Sequence, residues 1–398
     1  MRLACLDLHR SQGEKDALSG KRVSFGLVRL ANIGPLFQVA QALITQGAPA
    51  GVRIHLCVYH ARLPLIQRSA LENLLDGVLD RRDQNPGGGL GHPAIRAALD
   101  LHPEPDQLFI VLASPVCEVG RDWDGDWALG EPSSLRALIQ LAGRVQRHRC
   151  REPDQPNVLI FDTNLRHFRL RGRDQPAFLR PGFESTAPDQ SRFRLASHWL
   201  HDLLRPEEYQ ALSAIPRIQP PPQPWQPQQH LVDLEQARIA AAMAPRPRGT
   251  PPVTSRYLPP DPPLARDEAA CAWVYPQAAL TGVLPQQQPF REETEPHTTL
   301  VFLPDGEDRL QLHRMEKDGQ APDHPLYVPV DASLRHDLNL VPGPGITPWG
   351  SFDLLTLLRE QAEFLDLSLD TCARRFTTVD VPESPQGWRY HPWLGFTP

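Results

Sequence analysis

The chain has 398 residues, of which 40% are hydrophobic, and it carries a formal net charge of −6 at neutral pH. This length predicts two or three domains, and every apolar run is much shorter than the roughly 20 residues that a membrane-spanning helix needs. The N-terminal apolar run is too short for a signal peptide, and the six cysteines include no Cys-x-x-Cys pair, so we expect a cytoplasmic protein without disulfides or a zinc site.

The charge is unevenly distributed along the chain. Between Arg136 and Arg173, nine arginines accompany only three acidic residues, a net of +6 that leaves −12 for the remainder. A basic segment in an acidic protein indicates a polyanionic ligand, either a nucleotide or a nucleic-acid backbone.

In chain order, residues 1–20 are polar and are predicted to be irregular. After them, short β-branched apolar runs alternate with segments whose apolar residues recur at helical spacing. The predicted strands are 22–30, 54–59, 108–113 and 158–161, and the predicted helices are 36–44, 65–81, 93–101 and one that Ser133 caps. This alternation predicts a parallel α/β sheet such as that of a RecA-like domain, with ligand sites beyond the carboxyl ends of its strands.

The second half of the chain differs in composition. Residues 216–263 contain 14 of the 44 prolines and predict a semi-rigid linker, interrupted by a helix at 231–243. Beyond it, apolar runs at 272–275 and 299–303, a helix at 351–364 and an aromatic tail predict a small α+β accessory domain. The expected domains are therefore 1–165, 166–264 and 265–398.

The most informative stretch is 108–149. A buried strand leads into a turn-rich loop, and the Ser133-capped helix is predicted to continue through Val145. On that helix Gln140, Arg144 and Arg147 would share one polar stripe. For the helix taken alone, a solvated basic face is the favoured interpretation, and Gly143 within it costs about 1 kcal/mol relative to alanine.

Other sequence features are better explained without catalysis. No glycine-rich loop ends in Gly-Lys-Ser/Thr, so 87–91 is expected to be a flexible loop, and the acidic run 267–270 a chance match to a helicase acidic box. His198, His201 and His336 are expected on helix surfaces rather than in a metal nuclease site. Trp123 and Trp127 are expected to pack in a core, with base stacking as the alternative.

Two sequence motifs, one in the loop and one on the helix that follows it, are more informative together. The loop contains Ser-x-x-x-Glu-x-Gly-x-Asp-x-Asp, beginning at Ser114, and the following helix contains Gln-x-x-Gly-Arg-x-x-Arg, beginning at Gln140. The pair resembles motifs V and VI of superfamily 2 helicases. Further segments resemble the signature helicase–nuclease of type I CRISPR–Cas systems, most closely the I-F form; these are 24–33, 59–60, 231–235, 288–291 and 391–396.

The resemblance implies a second motor domain in a DNA-translocating ATPase. The nucleotide, ATP with Mg²⁺, would be shared with a first motor domain, and single-stranded DNA would be the track. The resemblance gives Arg144 and Arg147 the role of arginine fingers. It places Gln140, Gly120, Asp122 and Gly143 near the nucleotide, and Ser114, His60 and Arg62 near the DNA backbone.

The implied partners are a guide-RNA surveillance complex, an N-terminal nuclease and motor half, and the Cas integrase of the I-F system. The sequence itself has no counterpart of the family's adaptation subunit, HD nuclease or first motor domain. Leu141 and Gln146 replace arginines found in many versions of motif VI. A non-catalytic nucleic-acid-binding or assembly module, and the motor half of another superfamily 2 machine, therefore remain alternatives, and the chain alone is expected to lack ATPase activity.

Overall fold

The computed structural model describes residues 1–118, 120–170, 175–219, 224–243, 295–306, 309–317 and 325–398. The chain divides into two compact units, Met1–Arg173 together with His297–Pro398, and Asp174–Pro296. The acidic run 267–270, the apolar run 272–275, the segment 288–291 and most of the proline-rich stretch lie outside the described residues.

The strands of the described residues all lie in the first unit. In chain order they are β1 (Glu14–Lys15), β2 (Arg22–Arg29), β3 (Val52–Tyr59), β4 (Asp106–Ala113), β5 (Trp127–Gly130), β6 (Val158–Ile160), β7 (His297–Pro304), β8 (Leu310–Lys317), β9 (Pro325–Pro329), β10 (Arg335–Asp337), β11 (Ile346–Pro348), β12 (Val379–Pro382), β13 (Trp388–His391) and β14 (Gly395–Thr397).

The α-helices of the described residues fall in both units. In chain order they are α1 (Arg2–Gln12), α2 (Ile33–Gln46), α3 (Leu65–Leu79), α4 (Pro93–Leu101), α5 (Leu135–Ala142), α6 (Leu165–Leu170), α7 (Leu200–Leu203), α8 (Pro206–Gln210), α9 (Ile215–Ile218), α10 (Leu231–Met243), α11 (Leu354–Leu365) and α12 (Leu369–Phe376). No helix among the described residues has the length and apolarity that crossing a membrane requires.

The central sheet of the first unit has the strand order β11-β3-β4-β2-β5-β6, and every neighbouring pair in that order is parallel. Only β1 is antiparallel, and it pairs with the start of β2. The predicted parallel α/β sheet is confirmed, and it is consistent with a RecA-like domain. Three strands of this sheet were not predicted, β1, β5 and β11, and β11 joins the sheet from far along the chain.

Alternation along β2 and β4 explains why the sheet forms. Successive residues point to opposite faces of a strand, and here both faces are covered. Val28 and Leu112 lie in one apolar cluster, and Leu27 and Val111 lie in the other. Strands that are buried on both faces have the nearly continuous apolar sequences from which they were predicted.

Two smaller sheets complete the first unit. The antiparallel sheet β12-β7-β8-β9 packs with α11 and α12 around a third apolar cluster. The sheet β10-β13-β14 includes the predicted aromatic tail, in which Trp388 and Tyr390 are buried.

The prediction for residues 1–20 is wrong, because α1 forms there. Its apolar residues are too few for a clear periodic signal, yet Cys5, Leu6 and Leu8 are buried. The fourth buried residue of the helix is His9, whose Nδ1 lies 2.7 Å from Ser24 Oγ and whose Nε2 lies 3.2 Å from Asp106 Oδ1. The buried face of α1 thus includes the polar residue His9, which interrupts the apolar pattern by which a helix is predicted.

In the second unit, Glu184 organises a buried polar cluster. Its carboxylate accepts hydrogen bonds from the backbone amides of Ala177, Phe178 and Leu195, and His198 Nε2 lies 3.0 Å from it. His198 is therefore buried, and its prediction as a helix-surface residue is wrong, whereas His201 is exposed. The described residues contain no group of three or more His, Cys, Asp or Glu side chains that could hold a metal ion.

Candidate nucleotide and nucleic-acid site

The geometry of α5 corrects the predicted helical stripe. Ser134, rather than Ser133, caps the helix, and its hydroxyl accepts a hydrogen bond from the Ala137 amide at 3.1 Å. The helix ends at Ala142, and Gln146 has a positive φ of 54°. Arg144 and Arg147 therefore lie in the turns that follow α5, so the prediction of one continuous helix through Val145 is wrong.

A long-range contact explains where α5 stops. The Gly125 amide donates to Arg144 O at 2.8 Å, and the Gln146 amide donates to Gly125 O at 3.0 Å, so that Val145 forms a parallel bridge with Gly125. Gly143 has a low helix propensity, so little stability is lost when the helix ends before it. The bridge joins the end of motif VI to the segment just before β5, which carries the end of motif V.

Arg144 is half-buried beside that bridge. One terminal nitrogen of its guanidinium donates to Glu118 O at 2.9 Å, whereas its Nε is buried and has no hydrogen-bond partner among the described residues. Burial lowers the pKa of Arg144, and the nearby charge of Arg147 lowers it further. A buried guanidinium nitrogen without a partner carries a desolvation cost, and an anion near the guanidinium group would stabilise its charge.

Arg147 is more exposed and is already paired. Its Nε donates to Asp122 Oδ1 at 2.5 Å, and both side chains are about half exposed. The Arg147 guanidinium, with His148 beside it, holds the pKa of Asp122 below its usual range. Arg144 and Arg147 thus share one surface. Asp122 pairs directly with Arg147, and it also lies 3.2 Å from His148 Nε2 and 3.8 Å from Arg82.

A buried polar network lies behind Arg144, and sequence reasoning missed it. Arg29, at the carboxyl end of β2, donates to Glu118 Oε1 at 2.6 Å, to Glu131 O at 2.7 Å and to Ser133 Oγ at 2.9 Å. Burial raises the pKa of Glu118, although Arg29 opposes that shift. The network fixes the residue whose backbone oxygen holds Arg144. The available sequence signal was an arginine that ends an otherwise apolar strand.

The remaining residues expected near the nucleotide lie around this pair. Gly143 is exposed and its carbonyl accepts a hydrogen bond from Arg147 at 3.2 Å, while Gln140 is partly exposed one turn earlier on α5. Gly120 has a φ of 68°, and an added Cβ there would meet no atom within 4 Å. Its backbone conformation, rather than crowding, therefore favours glycine.

The residues expected near DNA are placed differently. Ser114 and His60 follow β4 and β3 at the carboxyl edge of the sheet, as the topology predicts, but both are buried. His60 Nε2 lies 2.8 Å from Leu394 O, and His60 Nδ1 accepts a hydrogen bond from the Arg62 amide. His60 thus joins the end of β3 to the C-terminal segment, and of the three residues only Arg62 is partly exposed.

The tryptophans of the same region are structural. Trp123 and Trp127 are fully buried, which confirms the predicted core packing. Their indole nitrogens donate to Asp76 Oδ1 at 2.6 Å and to Ser24 Oγ at 3.0 Å respectively.

Comparison with known protein families identifies the chain. Residues 22–150 match a family described as CRISPR-associated nuclease/helicase Cas3, C-terminal. Residues 302–398 match one described as CRISPR-associated Cas3 subtype I-F/YPEST-like, C-terminal domain. The chain belongs to the Cas3 family, of which it matches the C-terminal part. The first match contains both helicase-like motifs, and the second contains the C-terminal segment that bonds to His60.

Curated Cas3 relatives give the same result. The chain is 43% identical over 392 residues to the CRISPR-associated nuclease/helicase Cas3 subtype I-F/YPEST of Pseudomonas aeruginosa. It is 35% identical over 393 residues to the protein of that name from Pectobacterium atrosepticum. Each alignment covers 98% of this chain and 33% of the relative. The chain therefore spans about a third of the length of the curated Cas3 proteins that it matches.

Among solved structures, the chain is similar to the crystal structure of T. fusca Cas3-ATP. The identity is 20%, the TM-score is 0.27, and the match covers 34% of this chain and 14% of that one. Nucleotide-bound structures therefore exist within the Cas3 family.

Proposed function

We propose that this chain supplies the arginine-finger half of the ATPase site in a CRISPR antiviral helicase–nuclease, together with part of its single-stranded DNA track. The observation that carries the proposal is Arg144, whose buried Nε has no partner among the described residues. Arg147 lies on the same surface and is held by Asp122. Both arginines belong to the segment that matches the Cas3 C-terminal family.

The residues present fit a triphosphate approached from another domain. ATP with its Mg²⁺ would bring a phosphoanhydride and a concentrated negative charge. The half-buried guanidinium of Arg144 would neutralise part of that charge, while Asp122 keeps Arg147 aligned beside it. Since the sequence offers no phosphate-binding glycine loop, the nucleotide would be gripped by a first motor domain.

The proposed partners follow from family membership. A guide-RNA surveillance complex would load the assembled enzyme on displaced single-stranded DNA, and an N-terminal portion would supply the nuclease and the first motor domain. The Cas integrase of the I-F system is a further proposed partner. A non-catalytic assembly module remains the second candidate, favoured by the compensation of Arg147 by Asp122 in this structure.

The test is ATP turnover by this chain combined with a separately produced N-terminal portion of its Pseudomonas aeruginosa relative. We expect Arg144→Ala to lower turnover by about 10³-fold or more, the usual contribution of an arginine finger. Arg144→Lys should remain strongly impaired, because an ammonium cannot reproduce the fork of a guanidinium. Thermal unfolding should show that both variants remain folded.

A matched control exists in α12. Arg374 pairs with Asp370 at 2.7 Å, and the two side chains are 43% and 51% exposed, which closely resembles the 45% and 50% of Arg147 and Asp122. Arg374→Ala should leave turnover unchanged, whereas Arg147→Ala should lower it. If Arg144→Ala retained full turnover, Arg144 would be excluded from the nucleotide site.

A further inference from the structure

The short helix α6 presents an aromatic ring between two arginines. Phe168 is 69% exposed, and Arg166 and Arg169 are also exposed. We propose that this surface, which we call the α6 patch (Arg166, Phe168 and Arg169), binds single-stranded nucleic acid, with a base stacked on Phe168 and phosphates held by the arginines. This inference rests on the proposed function and names a contact of its DNA track.

The patch has the chemistry that such a ligand needs. Every nucleobase has a π face that can stack on an aromatic ring, and neighbouring guanidinium groups neutralise the backbone. Arg166 forms no hydrogen bond or ion pair with any described residue, so its charge is available. Arg169 donates only to the neutral amide of Gln38, and it therefore also retains an uncompensated charge.

The patch is anchored at the carboxyl edge of the central sheet. The Leu165 amide donates to Glu131 Oε1 at 2.8 Å, and the His167 amide donates to the buried Asn164 side chain at 2.9 Å. Glu131 directly follows β5, and its backbone oxygen accepts a hydrogen bond from Arg29. Phe168 is therefore carried by an ordered element connected to the network behind Arg144. Parallel sheets usually bind their ligands at this edge.

Exposure of a phenylalanine alone does not distinguish a binding site. Phe364, near the end of α11, is 83% exposed. Its exposed charged neighbours include Glu360, Glu363 and Asp366, which would repel a phosphate backbone. The two rings are comparable in accessibility but opposite in charge environment. Charge complementarity therefore favours a polyanion at Phe168 and provides a matched control at Phe364.

The experiment measures binding of fluorescein-labelled oligothymidylate to the 398-residue chain by anisotropy, without ATP or any partner. We expect Phe168→Ala to raise the Kd about tenfold. Phe168→Leu should also weaken binding, because it keeps apolar area but removes the π face, and Phe168→Trp should bind at least as tightly as the parent chain. Phe364→Ala should have no effect.

Salt dependence tests the arginines. Replacing Arg166 or Arg169 with glutamine should each reduce the slope of log Kd against log salt by about 0.7, the value for one phosphate contact on a single strand. The inference is overturned if the parent chain does not bind the oligonucleotide, if the Phe168 variants bind like the parent, or if Phe364→Ala weakens binding equally.

The outcome is separable from that of the ATPase proposal. Arg144→Ala should bind the oligonucleotide normally while losing turnover in the combined enzyme. Phe168→Ala should lose affinity in the absence of any nucleotide. If the parent chain does not bind the oligonucleotide, or if Phe168→Ala binds it like the parent, while Arg144-dependent turnover is intact, the α6 patch is excluded and the ATPase proposal stands.

Discussion

His60 shows how a polar side chain at the carboxyl edge of the sheet can be fixed by packing. It is wholly buried between β3 and the C-terminal segment, and burial lowers its pKa to about 4 although the Leu394 carbonyl opposes the shift. In the unfolded chain its pKa would be about 6.5. Between these values the unfolded chain binds a proton that the folded chain does not bind, so stability is lost as the pH falls.

We therefore expect His60→Asn to flatten the dependence of stability on pH. In the parent chain, His60 should account for a loss of up to about 3 kcal/mol in the free energy of unfolding as the pH falls from about 6.5 to about 4. Urea denaturation of parent and variant at several pH values measures this. The buried His55, whose pKa burial also lowers to about 4, remains in both proteins and cancels in the comparison. Identical pH profiles would contradict the assignment.

At the scale of single residues, the sequence predicts which charged residues belong to the candidate site, but it does not predict which groups they contact. Arg144, Arg147 and Asp122 were predicted from the two helicase-like motifs, and they lie on one surface of the structure. Nothing in the sequence pairs Arg144 with the Glu118 carbonyl, or His60 with Leu394, because these contacts join distant segments. Burial of His60 and Ser114 is likewise a tertiary property.

At the scale of helices and strands, an element could be predicted where its own sequence has a clear hydrophobic pattern. The bounds of α4 and α10 are those the sequence predicts, and the main central strands differ from theirs by only a few residues. Strand β5 has four residues between flanks that contain acidic residues, and β11 lies among prolines and glycines. Such short strands form through pairing with neighbours in the sheet, which a local pattern does not reveal. The end of α5 depends similarly on the bridge at Gly125.

The packing of β5 on β2 leads to a prediction about glycine. A Cβ added to Gly26 would lie 2.1 Å from the Trp127 ring, which is fully buried. We expect Gly26→Ala to lower the free energy of unfolding by about 1–3 kcal/mol or more, because an overpacked core must shift the ring or the strand. Thermal or urea denaturation measures the change.

Gly34 in α2 is the matched control for that substitution. An added Cβ there meets nothing within 4 Å. Gly34→Ala should be neutral or stabilise the protein by up to about 1 kcal/mol, because alanine is the better helix former. If the two variants had equal stability, close approach of Trp127 would not be the reason for glycine in β2.

At the scale of the whole molecule, the first unit presents two positive features, Arg144 and the α6 patch, that are connected by one polar network. Arg144 donates to the backbone oxygen of Glu118, whose side chain pairs with Arg29, and Leu165, the first residue of α6, donates to Glu131 of the same network. The chain covers about a third of its curated Cas3 relatives and matches the family's C-terminal regions. The proposal that the chain supplies half of a shared ATPase site is therefore tested best together with the rest of a Cas3 relative.

The most direct measurement of that claim is ATP hydrolysis in the presence of single-stranded DNA by three samples. They are this chain alone, the N-terminal portion of the Pseudomonas aeruginosa relative alone, and the two combined. We predict no turnover from this chain alone, and turnover from the mixture that exceeds the sum of its components. Hydrolysis by this chain alone, or a mixture no faster than its separate components, would contradict it.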